Sequence, residues 1–298
     1  MVGVPSRHII GIGPRLDGSR SCSARTTNYS VRTTVPIHPT AVIDENARVG
    51  DDCEIGPYCC VTGNVTIGDR CHLHSHVVLD GYLTIGDECE IFPFASLGTK
   101  TQDLKFEGDT SYVAIGNRTV IREYVTANAA TVGAATTTIG DDCLIQAYCH
   151  IAHECILGNR VIVSSGAMLS GHVQIGDDAQ IGGMTGVVQF VRVGAMAYVG
   201  GYSKLVQDVL PFCIADGIPA ELRSVNKVKM QRRDMTAEQI RAVTSAFKTI
   251  VRAGKTVEEA VDELTRAFPH SAEVGAMLDF LQKSERGLAR PRARKGSE

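Results

Sequence analysis

Residues 139–157 read IGDDCLIQAYCHIAHECIL, and the spacing of the aliphatic residues in them decides the fold. Stepping by six from Ile139 gives Ile145, Ile151, Leu157, Val163, Leu169, Ile175, Ile181, Val187, Val193, Val199 and Leu205, twelve aliphatic residues in succession. An earlier run gives eleven more: Ile37, Ile43, Val49, Ile55, Val61, Ile67, Leu73, Leu79, Ile85, Ile91 and Leu97. Many are followed by glycine, as in IGDD and IGDR. A helix repeats every 3.6 residues and an ordinary strand every 2, so neither produces this ruler. Period six with glycine-rich corners is the hexapeptide repeat of a parallel β-helix. Three hexads close one coil of about 18 residues, and each ruler residue points into the prism, stacked on its equivalents above and below.

The cysteines obey the same ruler. Cys53, Cys59, Cys71, Cys89, Cys143, Cys149 and Cys155 each lie four residues after an aliphatic position, where other repeats carry small residues. That slot faces inward, and cysteine there behaves as a small hydrophobe. Regular spacing without a CxxC pattern argues against a disulfide framework or a cysteine metal site, and favours a reducing compartment.

Residues 98–114 and 127–138 interrupt the ruler and are expected as loops thrown out from the prism, where function often sits. After Leu205 the ruler stops, Pro211 and Pro219 mark a junction, and the remainder looks helical. TAEQ from Thr236 and TVEE from Thr256 fit capping boxes, and Gly254 and Pro269 separate the helices. The expected organisation is a leader over 1–34, the β-helix over 35–210, a helical domain over 211–290 and a basic tail over 291–298. The fold class is mainly β, a parallel β-helix with a C-terminal α-helical domain.

With 44% hydrophobic and 21% charged residues in 298, the chain can build a core. A net charge of -3 gives no case for nucleic acid binding, and no apolar run is long enough to span a bilayer. The first 34 residues hold five Arg, many Ser and Thr, and Asp17 as their only acid. That composition fits an organellar transit peptide, mitochondrial before plastid; the alternative is a bacterial extension on a cytoplasmic protein.

The ruler places the chemistry. His153 is two residues after Ile151; one coil of 18 further on is Gly171, followed by His172, and one coil beyond that is Gln189. These stack in a column on the outside of the prism, with His150 preceding the same strand. A histidine has the pKa range of a general base, and a glycine N–H can approach a developing oxyanion unobstructed. A flat outer face is no pocket, so a second chain is expected to supply the missing wall, in a cyclic oligomer. Outward histidines can equally be solvated surface residues. Trimeric β-helix carbonic anhydrases bind zinc between subunits, but the histidine spacing they need is missing here. His72, His74 and His76 fall in coils well before His153, and the column offers no three-ligand set, so no metal is expected.

HIAHEC (150–155), SGH (170–172), IGGMTGVVQF (181–190), FASLGTKTQDLKF (94–106), RAGKT (252–256) and RGLAR (286–290) resemble the UDP-N-acetylglucosamine acyltransferases of lipid A biosynthesis. The likeness runs from about Ile37 to Arg290. It implies a homotrimer of left-handed β-helices with active sites between subunits. It also implies transfer of a 3-hydroxyacyl chain from acyl carrier protein to the 3-hydroxyl of UDP-N-acetylglucosamine, without a cofactor. By resemblance, His153 is the general base and Gly171 the oxyanion donor, and Glu154, where relatives often have Asp, orients the imidazole. His150, His172 and Gln189 match substrate contacts. Asp103 and Lys105 match residues reaching the sugar and the neighbouring subunit's site. Asn226 and Arg232 match nucleotide or carrier contacts, and Gly201 matches a position limiting acyl length. Val188, Asn128 with Ala129 and Ala130, Pro219 and Val228 depart from the pattern, departures that bear on nucleotide affinity and acyl preference. Two other readings remain. One is a hexapeptide acyltransferase with a different acceptor, although the related N-acyltransferase carries an N-terminal domain for which 34 residues are too few. The other is a β-helix without turnover serving in assembly.

Overall fold

The computed structural model describes residues 37–291; the leader over 1–34 and the basic tail after its first residue, Pro291, lie outside the described residues. A left-handed parallel β-helix of three flat sheets, with nine, eight and ten strands, carries a helical C-terminal part. Most strands are two residues long, and each pairs with the strand one coil on: Val61 with Leu79, Ile151 with Leu169, Val163 with Ile181. The ruler residues are the core. Leu73, Leu79, Ile91, Leu97, Ile145, Ile151 and Ile181 are fully buried, each contributing about 1.5–3 kcal/mol of apolar transfer. Burial weakens toward the N-terminal end, where Ile37 is 44% exposed and Ile43 and Val49 are half-buried.

Most corners turn through a residue in the left-handed region. Tyr58, His76, Phe94, Tyr124 and Tyr148 share one corner at φ of 59° to 65°. Such a backbone is unfavourable for side-chain-bearing residues. A cross-coil bond offsets the cost: the His76 N–H donates to the Pro57 carbonyl at 2.9 Å and that of Tyr148 to Glu123 at 2.9 Å. The IGD motif has its own mechanism. Asp69 Oδ1 accepts the Asp51 N–H, Asp87 Oδ1 that of Asp69, Asp141 Oδ1 that of Asn117, and Asp177 Oδ1 that of Asn159, at 2.8–2.9 Å. A Cβ on Gly68 would lie 2.3 Å from Asp87 Oδ1, so the glycine makes room for the carboxylate ladder. The inward cysteines do more than fill space. Cys53, Cys71 and Cys143 donate S–H to the carbonyls of Gly68, Gly86 and Gly158 at 3.0–3.1 Å, and Thr119 and Thr185 make the same bond with a hydroxyl.

The two interruptions are narrower than the sequence suggests. Strands Ser96–Thr99, Tyr112–Ile115, Thr126–Asn128 and Thr136–Ile139 run into the expected loops, leaving excursions over 100–111 and 129–135. Ile85 pairs with Ile115, a separation of 30 where an undisturbed coil has 18, and Ile115 pairs with Ile139, a separation of 24. The insertions are thus whole hexads. The ruler keeps phase through Ile115, Ile121 and Ala127, all buried.

The region after the ruler does not begin helical. Cys213–Gly217 and Ala220–Val225 form an antiparallel hairpin that continues the ten-stranded sheet and ends it. Capping the last coil in this way covers strand edges that would otherwise pair with other chains. Four α-helices follow among the described residues, α1 (Lys227–Arg232), α2 (Ala237–Phe247), α3 (Val257–Ala267) and α4 (Ala272–Gln282), with a π-helical turn over Lys248–Arg252 continuing α2. Thr236 with Gln239 and Thr256 with Glu259 form complete capping boxes. Buried Asp178 on the prism accepts Arg233 from beyond α1, with Lys229 at 3.5 Å and Arg160 at 3.1 Å, tying helix to coil.

Candidate active site

The column forms at the corner after strand His150–Ile151. The His172 N–H donates to the His153 carbonyl at 3.0 Å, and the Phe190 N–H to the Gly171 carbonyl at 3.2 Å. His153, Gly171 and Gln189 therefore occupy one corner position in three successive coils. A Cβ on Gly171 would stand 2.2 Å from His153 Cε1 and 2.4 Å from its Nε2. The imidazole lies flat in the space that only glycine leaves.

His153 is not the solvated outward residue that its position suggests. It is only 6% exposed, because the chain's own two excursions close over it. One wall expected from a second chain is supplied within the chain itself. Asp103, in the first excursion, places Oδ2 3.7 Å from His153 Nε2. Its Oδ1 accepts the Lys105 N–H at 3.0 Å, while the Lys105 side chain is exposed. Glu154 Oε2 bonds His153 Nδ1, and Glu154 Oε1 accepts the N–H groups of Thr131 at 2.6 Å and Val132 at 2.9 Å from the second excursion. Thr101 and Thr131 join the two excursions by a buried hydroxyl pair at 2.9 Å. No motif in the sequence marks the anchoring amides of Thr131 and Val132. The signal is the ruler: kept in phase, it stacks Leu97, Ala127 and Ile151, so the two excursions emerge beside His153.

The electrostatics follow from these contacts. Burial pushes the Glu154 carboxyl up, but the bonds from Val132, His153 and Thr131 outweigh it and hold the group below the ordinary carboxylate range. Burial first and the neighbouring His153 second lower the His150 pKa; its Nδ1 lies 2.8 Å from Thr126 Oγ1. A carboxylate on Nδ1 fixes the tautomer with its proton there and leaves the Nε2 lone pair free, an assignment inferred from the partners.

His172 stacks on Phe190 with centroids 4.4 Å apart and presents its edge to His153 at 5.2 Å. Beyond it a groove runs along Gln174, Phe190 and Arg192 to Lys283 and Glu285 of the tail. Gln189 is exposed one coil further. One expectation fails: ligand atoms of His153, Glu154 and His172 lie within 4.8 Å of one another, so the column does hold a three-group set of metal-ligating type. Sequence spacing hid it because His172 comes from the next coil. His153 and Glu154 already bond each other, and Glu154 also holds the two loop amides, so a resident ion would have to displace those bonds.

A family model described as UDP N-acetylglucosamine O-acyltransferase, domain 2, matches residues 208–289, and the bacterial transferase hexapeptide model matches 46–81 and 136–171. The acyl-[acyl-carrier-protein]–UDP-N-acetylglucosamine O-acyltransferase of Thiobacillus denitrificans is 49% identical over 255 residues, 85% of this chain and 99% of that protein. The chain belongs to the UDP-N-acetylglucosamine O-acyltransferase family. Solved members share its fold. The Campylobacter jejuni UDP-N-acetylglucosamine acyltransferase is 39% identical with a TM-score of 0.81, covering 86% of this chain and all (100%) of that one. The Arabidopsis UDP-N-acetylglucosamine acyltransferase is 32% identical with a TM-score of 0.76, over 85% of this chain and 100% of that one.

The remaining residues that the acyltransferase resemblance singles out stand apart from the imidazole. Gly201 lies at a different corner, following the strand Tyr198–Val199, and faces Gly183: a Cβ there would meet its carbonyl oxygen at 3.3 Å. Asn226 caps α1, accepting from the Lys229 N–H at 3.2 Å, and donates to the Met196 carbonyl at 2.9 Å. Arg232 is exposed in the last turn of α1. Of the departures from the acyltransferase pattern, Val188 packs half-buried against the core. Asn128 is buried, donating through Nδ2 to the Thr99 and Lys100 carbonyls, with its Oδ1 unpartnered.

Proposed function

We propose that the protein transfers a 3-hydroxyacyl chain from acyl carrier protein to the 3-hydroxyl of UDP-N-acetylglucosamine, the first step of lipid A biosynthesis. One observation carries the reading: an imidazole seated on a bare glycine, its Nδ1 held by a carboxylate that two loop amides anchor. Glu154 holds the proton of His153 on Nδ1. Nε2 takes the proton of the sugar hydroxyl as its oxygen attacks the thioester carbonyl. The Gly171 N–H receives the oxyanion. Collapse breaks the C–S bond, and the proton passes from Nε2 to the departing thiolate. His150, His172, Gln189, Asp103 and Lys105 bind the substrate around this centre. Asn226 and Arg232 contact nucleotide or carrier, and Gly201 leaves room for a long acyl chain. A homotrimer supplies the outer wall that Gln189 and the His172 groove lack. In a eukaryotic host the leader directs the protein to an organelle; in a bacterial one the protein is cytoplasmic.

Incubation with 3-hydroxyacyl carrier protein and UDP-N-acetylglucosamine, followed by mass spectrometry of the nucleotide sugar, tests this. Acylated UDP-sugar is expected. Acylation only of another acceptor would mean a changed specificity, and no transfer to any acceptor would leave the assembly reading.

A further inference from the structure

The clusters of ligating side chains outside the column include one on the outer face of the ten-stranded sheet. His72 and His74 are two apart, so both project from the same face of one coil. His72 pairs with Glu90 on the next coil and with Glu54 on the coil before. His74 Nε2 lies 2.9 Å from Glu90 Oε1, and His72 Nε2 3.9 Å from Glu54 Oε2. Ligand atoms of His72, His74 and Glu90 all fall within 4.8 Å of one another.

We propose that His72, His74 and Glu90, with Glu54 as the fourth ligand, bind a divalent transition ion such as Zn²⁺. Two imidazole nitrogens with carboxylate oxygens suit Zn²⁺, Co²⁺ and Ni²⁺ and disfavour Mg²⁺ and Ca²⁺. A tetrahedral ion with bonds of about 2.0–2.2 Å needs its ligand atoms roughly 3.4 Å apart, within the reach of small rotations here. Two carboxylates balance the charge of the dication. The scaffold is stiff: the ligands stand on three hydrogen-bonded coils, and the His74 ring is held between His72 at 4.1 Å and Phe92 at 4.4 Å. Phe92 is backed in turn by the Arg122 guanidinium at 4.0 Å. The side chains are 29–49% exposed, so an ion can enter from solvent. Because Glu54, His72 and Glu90 come from successive coils, the ion staples three neighbouring coils of the prism together. This inference does not rest on the acyl-transfer reading.

The test is a Co²⁺ titration of the full chain after chelator treatment, read by visible absorption, with Zn²⁺ added afterwards. A saturable band from a four-coordinate ion is expected, displaced by Zn²⁺, with a rise in Tm that grows with free metal by mass action. His72→Ala and His74→Ala should each abolish the band and the Tm rise, and Glu90→Gln should weaken both. Acyl transfer should be unchanged in all three, since none of these residues touches the column. No saturable band would overturn the proposal. So would a band that survives the double His72→Ala/His74→Ala variant but is lost in His172→Ala, which would move the ion to the column.

Discussion

Glu154 fixes the position of the His153 ring, because its two oxygens face different partners. One meets the imidazole and the other the amides of Thr131 and Val132. Its carboxyl pKa is depressed in the folded chain. The stabilisation is therefore fully present above the unfolded value of about 4.3 and is lost as pH falls through the depressed folded value. Glu154→Gln should lower both Tm and turnover near neutral pH, and its Tm deficit should shrink as the pH is taken below about 4; a deficit constant with pH would count against the charged contact. His153→Ala should cut turnover by about 10²–10⁴-fold. The shared corner of His153 and Gly171 was legible, since it needs only the count of 18. Gly171→Ala brings a Cβ to 2.2 Å from the ring and should displace the imidazole, with turnover falling far more than Tm. Gly186→Ala, which meets nothing within 4 Å, is the control and should leave turnover unchanged.

At the scale of elements, the strands were legible because a six-residue period has no competing explanation. The stretch from Ile115 to Ala127 was missed because long polar insertions masked a ruler that never lost phase. The hairpin at Cys213–Val225 was missed for another reason: Pro219 and Gly217 mark its turn, but its strands lack the six-residue signal, so only the junction showed. The capping boxes were legible because they are local. The bond that docks the helices was not, since Asp178 meets Arg233 across 55 residues of sequence. Burial pushes the Asp178 carboxyl up, yet Arg160, Arg233 and Lys229 hold it below the ordinary range. Asp178→Asn removes the charge and leaves three cations without it. The expected loss is about 2 kcal/mol, the scale of hydrogen bonds to charged groups. Hydrogen exchange should quicken in α1 before it does in the central coils; uniform quickening would mean that Asp178 supports the prism rather than the docking.

In the whole molecule each coil touches only its neighbours, so stability resides in the stack and the ends are its weak points. The C-terminal end is closed: Leu205, Val209 and Leu210 are fully buried, as is Cys213 of the hairpin that continues the stack. The N-terminal end is open by comparison, with the ruler residue Ile37 44% exposed, yet residues 37–291 belong to one compact unit. The 49% identical relative matches 85% of this chain with 99% of its own length. A chain beginning at Val35 should therefore keep its turnover, its Tm and its assembly state by light scattering. Residues 1–34 fused to a fluorescent reporter should carry it to an organelle in a eukaryotic host, because an arginine-rich segment with a single acid suits import machinery better than it suits packing on a coil. Loss of assembly on truncation, with diffuse reporter fluorescence, would show that the leader instead covers the exposed first coil.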